Sequence, residues 1–365
     1  MGYLFGQEAS RVYEDLNKLI DIKKLGAFVD AIGEAKAIAN STSDKEYRKL
    51  MRNVNCTSYS KLSLLHKCPR LLELEAFRAA AEVPIQDDVV FNIDFAFGHA
   101  IGSGLQTILA TGSLQAGIFS AMLAWHGPLD EEKLDARGNP TGKSLAWAVH
   151  ALEKFDFFYQ TSELAEYEIL RLPSGRPAVE LSFAVDTSNG FFHFGHIDAV
   201  LIHKTLKRLA VWEGKTTGLA NISEAAYGNS YQALGYSVVV DAISKEFNLP
   251  TADYEVFYVV YSTKAREFQL LPFPKSKTQR AEWLQDLLLS HAMISKYQEL
   301  KFFPKRGDSC IDKYGKQCKW YGTCSISNEG LFPTLEKLPL AASIEGLKAV
   351  DFKFTLAELV AAQKA

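Results

Sequence analysis

Three acidic residues and one lysine sit on successive strand-like segments: Glu180 in V-E-L-S-F-A-V, Asp198 in G-H-I-D-A-V-L-I, and Glu213 with Lys215 in V-W-E-G-K. Carboxylate oxygens are the ligands that hard divalent cations such as Mg²⁺ and Mn²⁺ prefer. A cation so held lowers the pKa of its bound water and screens a negative scissile phosphate. A lysine beside it orients the attacking water and offsets phosphate charge. The chemistry these residue types suit is phosphodiester hydrolysis. Taken singly each has an ordinary reading, since E-x-K is common on solvent-facing strands. Asp198 is harder to set aside, because it interrupts an apolar run and a charge there needs a partner.

The elements that must bring them together follow from the side-chain period. Residues i and i+2 of a strand share a face, so Glu213 and Lys215 point the same way, and pairing of the two strands lets Asp198 join them. Gly214 between them allows a close backbone approach. The strand before runs from Val179 to Val185, with Val179, Leu181, Phe183 and Val185 on one side and Glu180 on the other. Further strands are expected over Phe191–His203, Leu209–Thr216, Tyr254–Ser262 and Glu267–Phe273. Helices are expected over Thr57–Ala81 with a break at Cys68-Pro69, then over Phe97–Thr111, Lys143–Ser162, Ser223–Ser244 and Lys277–Lys301. The helix after the Glu-x-Lys carries Gln232 and Tyr236 at i and i+4, on one face. Residues 128–142 are polar and turn-rich, and so form a loop.

The chain has 365 residues with 47% hydrophobic and 23% charged residues, an ordinary globular composition. Its formal net charge of −3 supplies no global basic field, so a nucleic acid would have to be held by local patches. Candidates are Lys204, Lys207 and Arg208; Lys275, Lys277 and Arg280; and Lys301, Lys305 and Arg306. No apolar run is long enough to span a bilayer, and the opening residues lack a secretory or myristoylation pattern. A soluble cytoplasmic protein is expected, bacterial or viral and acting in a host cytoplasm. In that reducing setting the five cysteines are not a disulfide framework. Cys56 and Cys68 lie early, whereas Cys310, Cys318 and Cys324 crowd together late.

Gly195-His196-Ile197-Asp198, Glu213-Gly214-Lys215 and then Gln232 with Tyr236 resemble, in order and spacing, the PD-(D/E)xK nucleases of the RecB type, a group that includes CRISPR-adaptation and AddB-type nucleases. The resemblance implies an α/β fold with a mixed central sheet flanked by helices, a restriction-endonuclease-like core. It implies Glu180, Asp198 and Glu213 as ligands of Mg²⁺ or Mn²⁺, and Lys215, Gln232 and Tyr236 as catalytic residues. The family also carries an earlier Gly-x-x-x-His followed by Glu, whose histidine helps hold metal. Here Gly102 stands at the histidine position and Gln106 at the glutamate position. His99 lies one turn earlier and is a candidate ligand in its place.

Cys68, followed by Pro69, together with Cys310, Cys318 and Cys324 resembles the iron–sulfur subset of these nucleases, in which four thiolates hold one [4Fe–4S] cluster and close a very long loop. Zn²⁺ is the rival occupant, although zinc sites usually show closer cysteine pairs. Unligated thiols are the third reading, and Cys56 fits no set. The implied organisation is an N-terminal helical region over 1–55, a nuclease domain with its iron–sulfur staple over 56–330, and a C-terminal tail over 331–365. The implied function is metal-dependent DNA hydrolysis, as an exonuclease on single strands or duplex ends, in recombination, repair or CRISPR adaptation. A helicase or recombination protein is a possible partner, and no membrane is involved. One alternative is a catalytically inactive DNA-binding subunit of a recombination or CRISPR complex. Another is a metal-stapled protein-interaction module.

Overall fold

The computed structural model describes residues 54–80, 91–187, 190–250, 254–311, 317–325 and 350–364. The helical region expected over 1–55 lies outside the described residues except for 54 and 55, and so does the linker expected before residue 350.

Short polar side chains punctuate the elements. β1 (Cys56–Ser58) leads into α1 (Tyr59–Lys67), and the Ser58 side chain accepts the N–H of Lys61. Cys68 is extended, and Pro69, which has no N–H to leave unpaired, opens α2 (Pro69–Ala80). In α3 (Ile93–Thr111) the Asn92 side chain accepts from Asp94 and Phe95, and the helix stops at Gly112, whose φ of 67° suits a residue without Cβ. Ser113 and Ser144 cap α4 (Leu114–Ala124) and α5 (Leu145–Thr161). Four strands follow: β2 (Tyr167–Ile169), β3 (Val179–Asp186), β4 (Phe192–His203) and β5 (Leu209–Thr217).

The helix expected over Ser223–Ser244 is two pieces. A single turn, α6 (Ala225–Gly228), precedes α7 (Tyr231–Glu246), and Ser230 between them caps α7 by accepting from Ala233. Gly228-Asn229-Ser230 thus acts as a helix start rather than a helix interior. β6 (Tyr254–Ser262), β7 (Glu267–Lys275) and α8 (Lys277–Glu299) come next, the last opened by a reciprocal Ser276–Gln279 capping box. α9 (Tyr321–Ser325), β8 (Phe352–Thr355) and α10 (Leu356–Lys364) complete the described elements.

The fold is α/β. The strands form a mixed, open sheet in the order β7-β6-β5-β4-β3-β8, with β1 and β2 also pairing with β4. β5–β6 and β3–β8 are parallel, and β4–β5 and β6–β7 antiparallel. The part of the expected tail that is described therefore supplies a strand, Phe352 pairing with Phe183.

The chain divides into two compact units. In the first, within residues 87–181 and 197–275, α3 and α5 bury one face of β4, β5 and β6 through Phe97, Leu105, Phe155, Leu201, Trp212 and Phe257. Fully burying a side chain of this size contributes roughly 1.5–3 kcal/mol. The opposite face, toward α7, carries Asp198 and Glu213. In the second unit, within residues 40–86, 182–196 and 276–365, a polar network is fully enclosed. Thr57 Oγ1 lies 3.1 Å from His193 Nδ1 and 2.9 Å from His291 Nε2, and Thr187 Oγ1 lies 3.3 Å from His291 Nδ1.

One basic patch read from the sequence is not a surface. Lys275 is buried in the first unit, its ammonium donating to the Gly228 carbonyl, and Arg280 is buried in the second, donating to Gln363. Both serve packing: each cation caps a polar group inside its own unit. Lys204, Lys207 and Arg208 are exposed at the β4–β5 turn.

Candidate active site

β4 and β5 pair antiparallel, with Ala199 opposite Trp212 and Ile202 opposite Leu209. Asp198 and Glu213 come next in that register. Alternation puts Trp212 and Gly214 on the core face and Glu213 and Lys215 on the other. Gly214 is required here, since a Cβ would come within 2.8 Å of the Trp212 indole. Its N–H donates to Asp198 Oδ2 at 3.0 Å.

The electrostatics of this pair are severe. Glu213 is 1% exposed, and its Oε1 receives the Lys215 ammonium while its Oε2 has no hydrogen-bond partner. Burial pushes the Glu213 carboxyl well above the usual carboxylate range and the charge of Asp198 pushes it further, while Lys215 pulls it back. Asp198 is raised as well, first by burial and then by Glu180, against the lowering effects of Lys215 and the Gly214 N–H. Two carboxyls both raised first by burial, one with an orphaned oxygen, are a costly arrangement to keep ionised. Uncompensated burial of an ion costs several kcal/mol.

Glu180 completes the acidic group by an unusual route. Its φ is 47°, left-handed for a non-glycine residue within a strand, a conformation that costs about 1–3 kcal/mol and concentrates at functional sites. Its Oε1 accepts from Gln106 Nε2 at 2.6 Å, and its carboxyl is raised by burial and by the charge of Glu213. The burial alternation expected for β3 is absent: residues 181–185 are all buried, so both faces of that stretch are covered. On α7, Gln232 Nε2 donates to Tyr236 Oη at 2.8 Å. Burial, with the charges of Glu213, Asp198 and Glu180, keeps the Tyr236 phenol protonated far above its ordinary range. Asp198, Glu213, Lys215, Glu180 and Tyr236 are therefore one electrostatic group.

His99 is exposed on α3, and none of the hydrogen bonds or ion pairs described at the carboxylates involves it. Gly102 has open space where a side chain would begin. The link between Gln106 and Glu180 is new relative to the sequence reading, where Gln106 appeared only as a departure from the pattern. They lie 74 positions apart, and nothing local to either residue signals the contact.

The second unit holds the other candidate site. Cys68, Cys310, Cys318 and Cys324 line one cavity of about 190 Å³ with Arg70, Lys305 and Arg306. All four thiols are free. Hydrogen bonds to backbone carbonyls bind the late segment and the early one: Arg70 N–H donates to Pro304 O at 3.2 Å and the Ser309 hydroxyl to Lys67 O at 2.6 Å. Glu75 of α2 accepts Trp320 Nε1 at 2.7 Å and pairs with Lys319 at 2.7 Å. Cys318 N–H donates to Cys310 O at 2.8 Å. Cys56 stands apart, fully buried, and burial pushes its thiol up to about 12.

No family model matches the chain, and no curated protein matches it.

Both donor sets fit the groups that the sequence suggests. The orphaned Glu213 oxygen and the two carboxyls that burial raises suit a hard cation, which stabilises ionised carboxylates. Four free thiols around one cavity, with cations in its lining, suit a thiolate-ligated cluster. As the side chains stand, no group of three or more His, Cys, Asp or Glu among the described residues is arranged to hold a metal ion. Among the described residues no helix is long and apolar enough to cross a membrane.

Proposed function

We propose that the chain is a Mg²⁺- or Mn²⁺-dependent nuclease of the PD-(D/E)xK, RecB-like kind, with a restriction-endonuclease-like core, hydrolysing DNA phosphodiester bonds. The observation that carries this reading is the convergence of Asp198, Glu213 and Lys215 on one sheet face, with the Glu213 Oε2 atom buried and unpartnered. Asp198, Glu213 and Glu180 would hold the cation. When bound it supplies a water of lowered pKa and positive charge against the phosphate. Lys215, whose side chain is 37% exposed while its partner Glu213 is enclosed, is the group that reaches solvent and substrate. Its ammonium orients the attacking water and meets the developing phosphate charge. Tyr236 stays protonated and braces Gln232 beside the acids. Exonucleolytic cutting of single strands or duplex ends, in recombination, repair or CRISPR adaptation, is carried by the resemblance.

The four-cysteine cavity supports a [4Fe–4S] cluster that ties the early and late segments of the second unit together, with Zn²⁺ as the competing occupant. The cluster is structural in this reading, since hydrolysis transfers no electrons.

One observation favours a second reading, a DNA-binding subunit without catalysis. The position where the similar nucleases carry a metal-binding histidine is Gly102, with nothing within 4 Å of a Cβ there. End-labelled single-stranded and duplex DNA incubated with Mn²⁺, with and without EDTA, separates the two. Cleavage that EDTA and Asp198→Ala both abolish supports the nuclease. Binding without cleavage, unchanged by Asp198→Ala, supports the subunit.

A further inference from the structure

We propose that Gln106 is the positioning residue for Glu180 and sets how tightly the carboxylate group takes a divalent cation, an inference that rests on the metal-site reading above. The Gln106 side chain is a neutral amide with two N–H donors. It donates to Glu180 Oε1 at 2.6 Å, which fixes that oxygen and leaves Oε2 for a cation. Among the described residues this is the hydrogen bond that the Glu180 carboxylate makes.

Three features make this bond more than packing. First, Glu180 has a φ of 47°, so the regular pleat of β3 does not set the direction of its side chain. The rotamer must be held from outside the strand, and Gln106 is what holds it. Second, α3 is anchored by Phe97, Ala100, Ile101, Leu105 and Ile108, all buried, whereas Gln106 is only half-buried. The helix does not need Gln106 to dock. Third, the residue type limits charge. Three carboxylates against the Lys215 ammonium leave two negative charges, which one divalent cation balances. A glutamate at position 106 would set a further negative charge directly against Glu180 Oε1, whereas the amide attracts it. Hydrogen-bond partners of metal ligands commonly change metal affinity by 10–100-fold when removed.

The test is calorimetric titration of Mn²⁺ into the metal-free full chain, without DNA, for the wild type, Gln106→Leu, Gln106→Ala and Asp198→Ala. Leucine keeps helix propensity and approximate volume while removing the donor, and alanine is the second variant should leucine disturb the fold. Thermal unfolding without metal is recorded for each. Both Gln106 variants are expected to bind Mn²⁺ about tenfold or more weakly, with metal-free melting temperatures close to that of the wild type. Wild-type affinity in both variants, while Asp198→Ala loses binding, would overturn the role of Gln106 alone. A weakened affinity accompanied by a large fall in the metal-free melting temperature would also overturn it, because the bond would then serve the fold. Wild-type protein that takes up no more Mn²⁺ than Asp198→Ala would remove the metal site itself, and this proposal with it.

Discussion

Gly214 and Asp198 are joined by a backbone-to-side-chain hydrogen bond, Gly214 N–H donating to Asp198 Oδ2 at 3.0 Å. The bond ties the acid of one strand to the glycine between the acid and the lysine of the next. The same glycine lies against the Trp212 indole, which is fully buried. Gly214→Ala must therefore push its new methyl against a ring that cannot leave. Overpacking of this kind costs about 1–3 kcal/mol. Urea unfolding is expected to show that loss, and DNA cleavage to fall with it as β5 shifts under Glu213 and Lys215. An unchanged unfolding midpoint would contradict the packing.

Lys215→Met removes the cation that holds the Glu213 carboxyl down, while burial and Asp198 continue to raise it. The acid then ionises only at higher pH. Cleavage is expected to fall by about 10² or more, with the residual rate displaced toward alkaline pH. Single-turnover rates across pH measure both effects, and circular dichroism is expected to show a retained fold. Full activity in this variant would take Lys215 out of the chemistry.

The enclosed histidines give the second unit a pH dependence of its own. Burial lowers His193 from 6.5 to about 3, helped by the neighbouring His291, and burial lowers His291 from 6.5 to about 4. Both are bases whose folded-state pKa is depressed, so the unfolded chain takes up protons first as pH falls. Stability is fully present above pH 6.5 and is lost as pH falls toward about 4. Each histidine contributes a slope of about 1.4 kcal/mol per pH unit across that window. Denaturation midpoints measured from neutral pH downward are expected to drop less steeply in His291→Gln, which has no proton to gain.

Protein purified without oxygen is expected to be brown and to contain iron and acid-labile sulfide in equal amounts. Cys318→Ser is expected to lower both and to reduce the thermal stability of the chain, since the link between the Cys68 and Cys310–Cys324 segments is weakened. A colourless preparation carrying stoichiometric zinc would assign the four thiols to Zn²⁺ instead.

The hairpin that carries Asp198, Glu213 and Lys215 was legible because it is local. Two apolar strand patterns, a short polar turn and the period of two place those residues without any distant information. What the sequence hid depends on contacts between distant segments. β8 pairs with β3 across nearly half the chain, and its four residues carry no periodicity long enough to read. The left-handed turn at Glu180 has no glycine to announce it, and its bond to Gln106 spans two elements. Lys275 and Arg280 read as surface by charge alone, because only tertiary packing decides whether a lysine or arginine is enclosed with a partner.

The claim on which the rest depends is a cation held between strands β4 and β5. Crystals grown without metal and soaked in Mn²⁺, with data collected at a wavelength where manganese scatters anomalously, test it directly. An anomalous peak is expected within coordination distance of Asp198 and Glu213 carboxylate oxygens, lost in Asp198→Ala. A Mn²⁺-soaked crystal with no peak at those two side chains, or with the peak undiminished in Asp198→Ala, would contradict it.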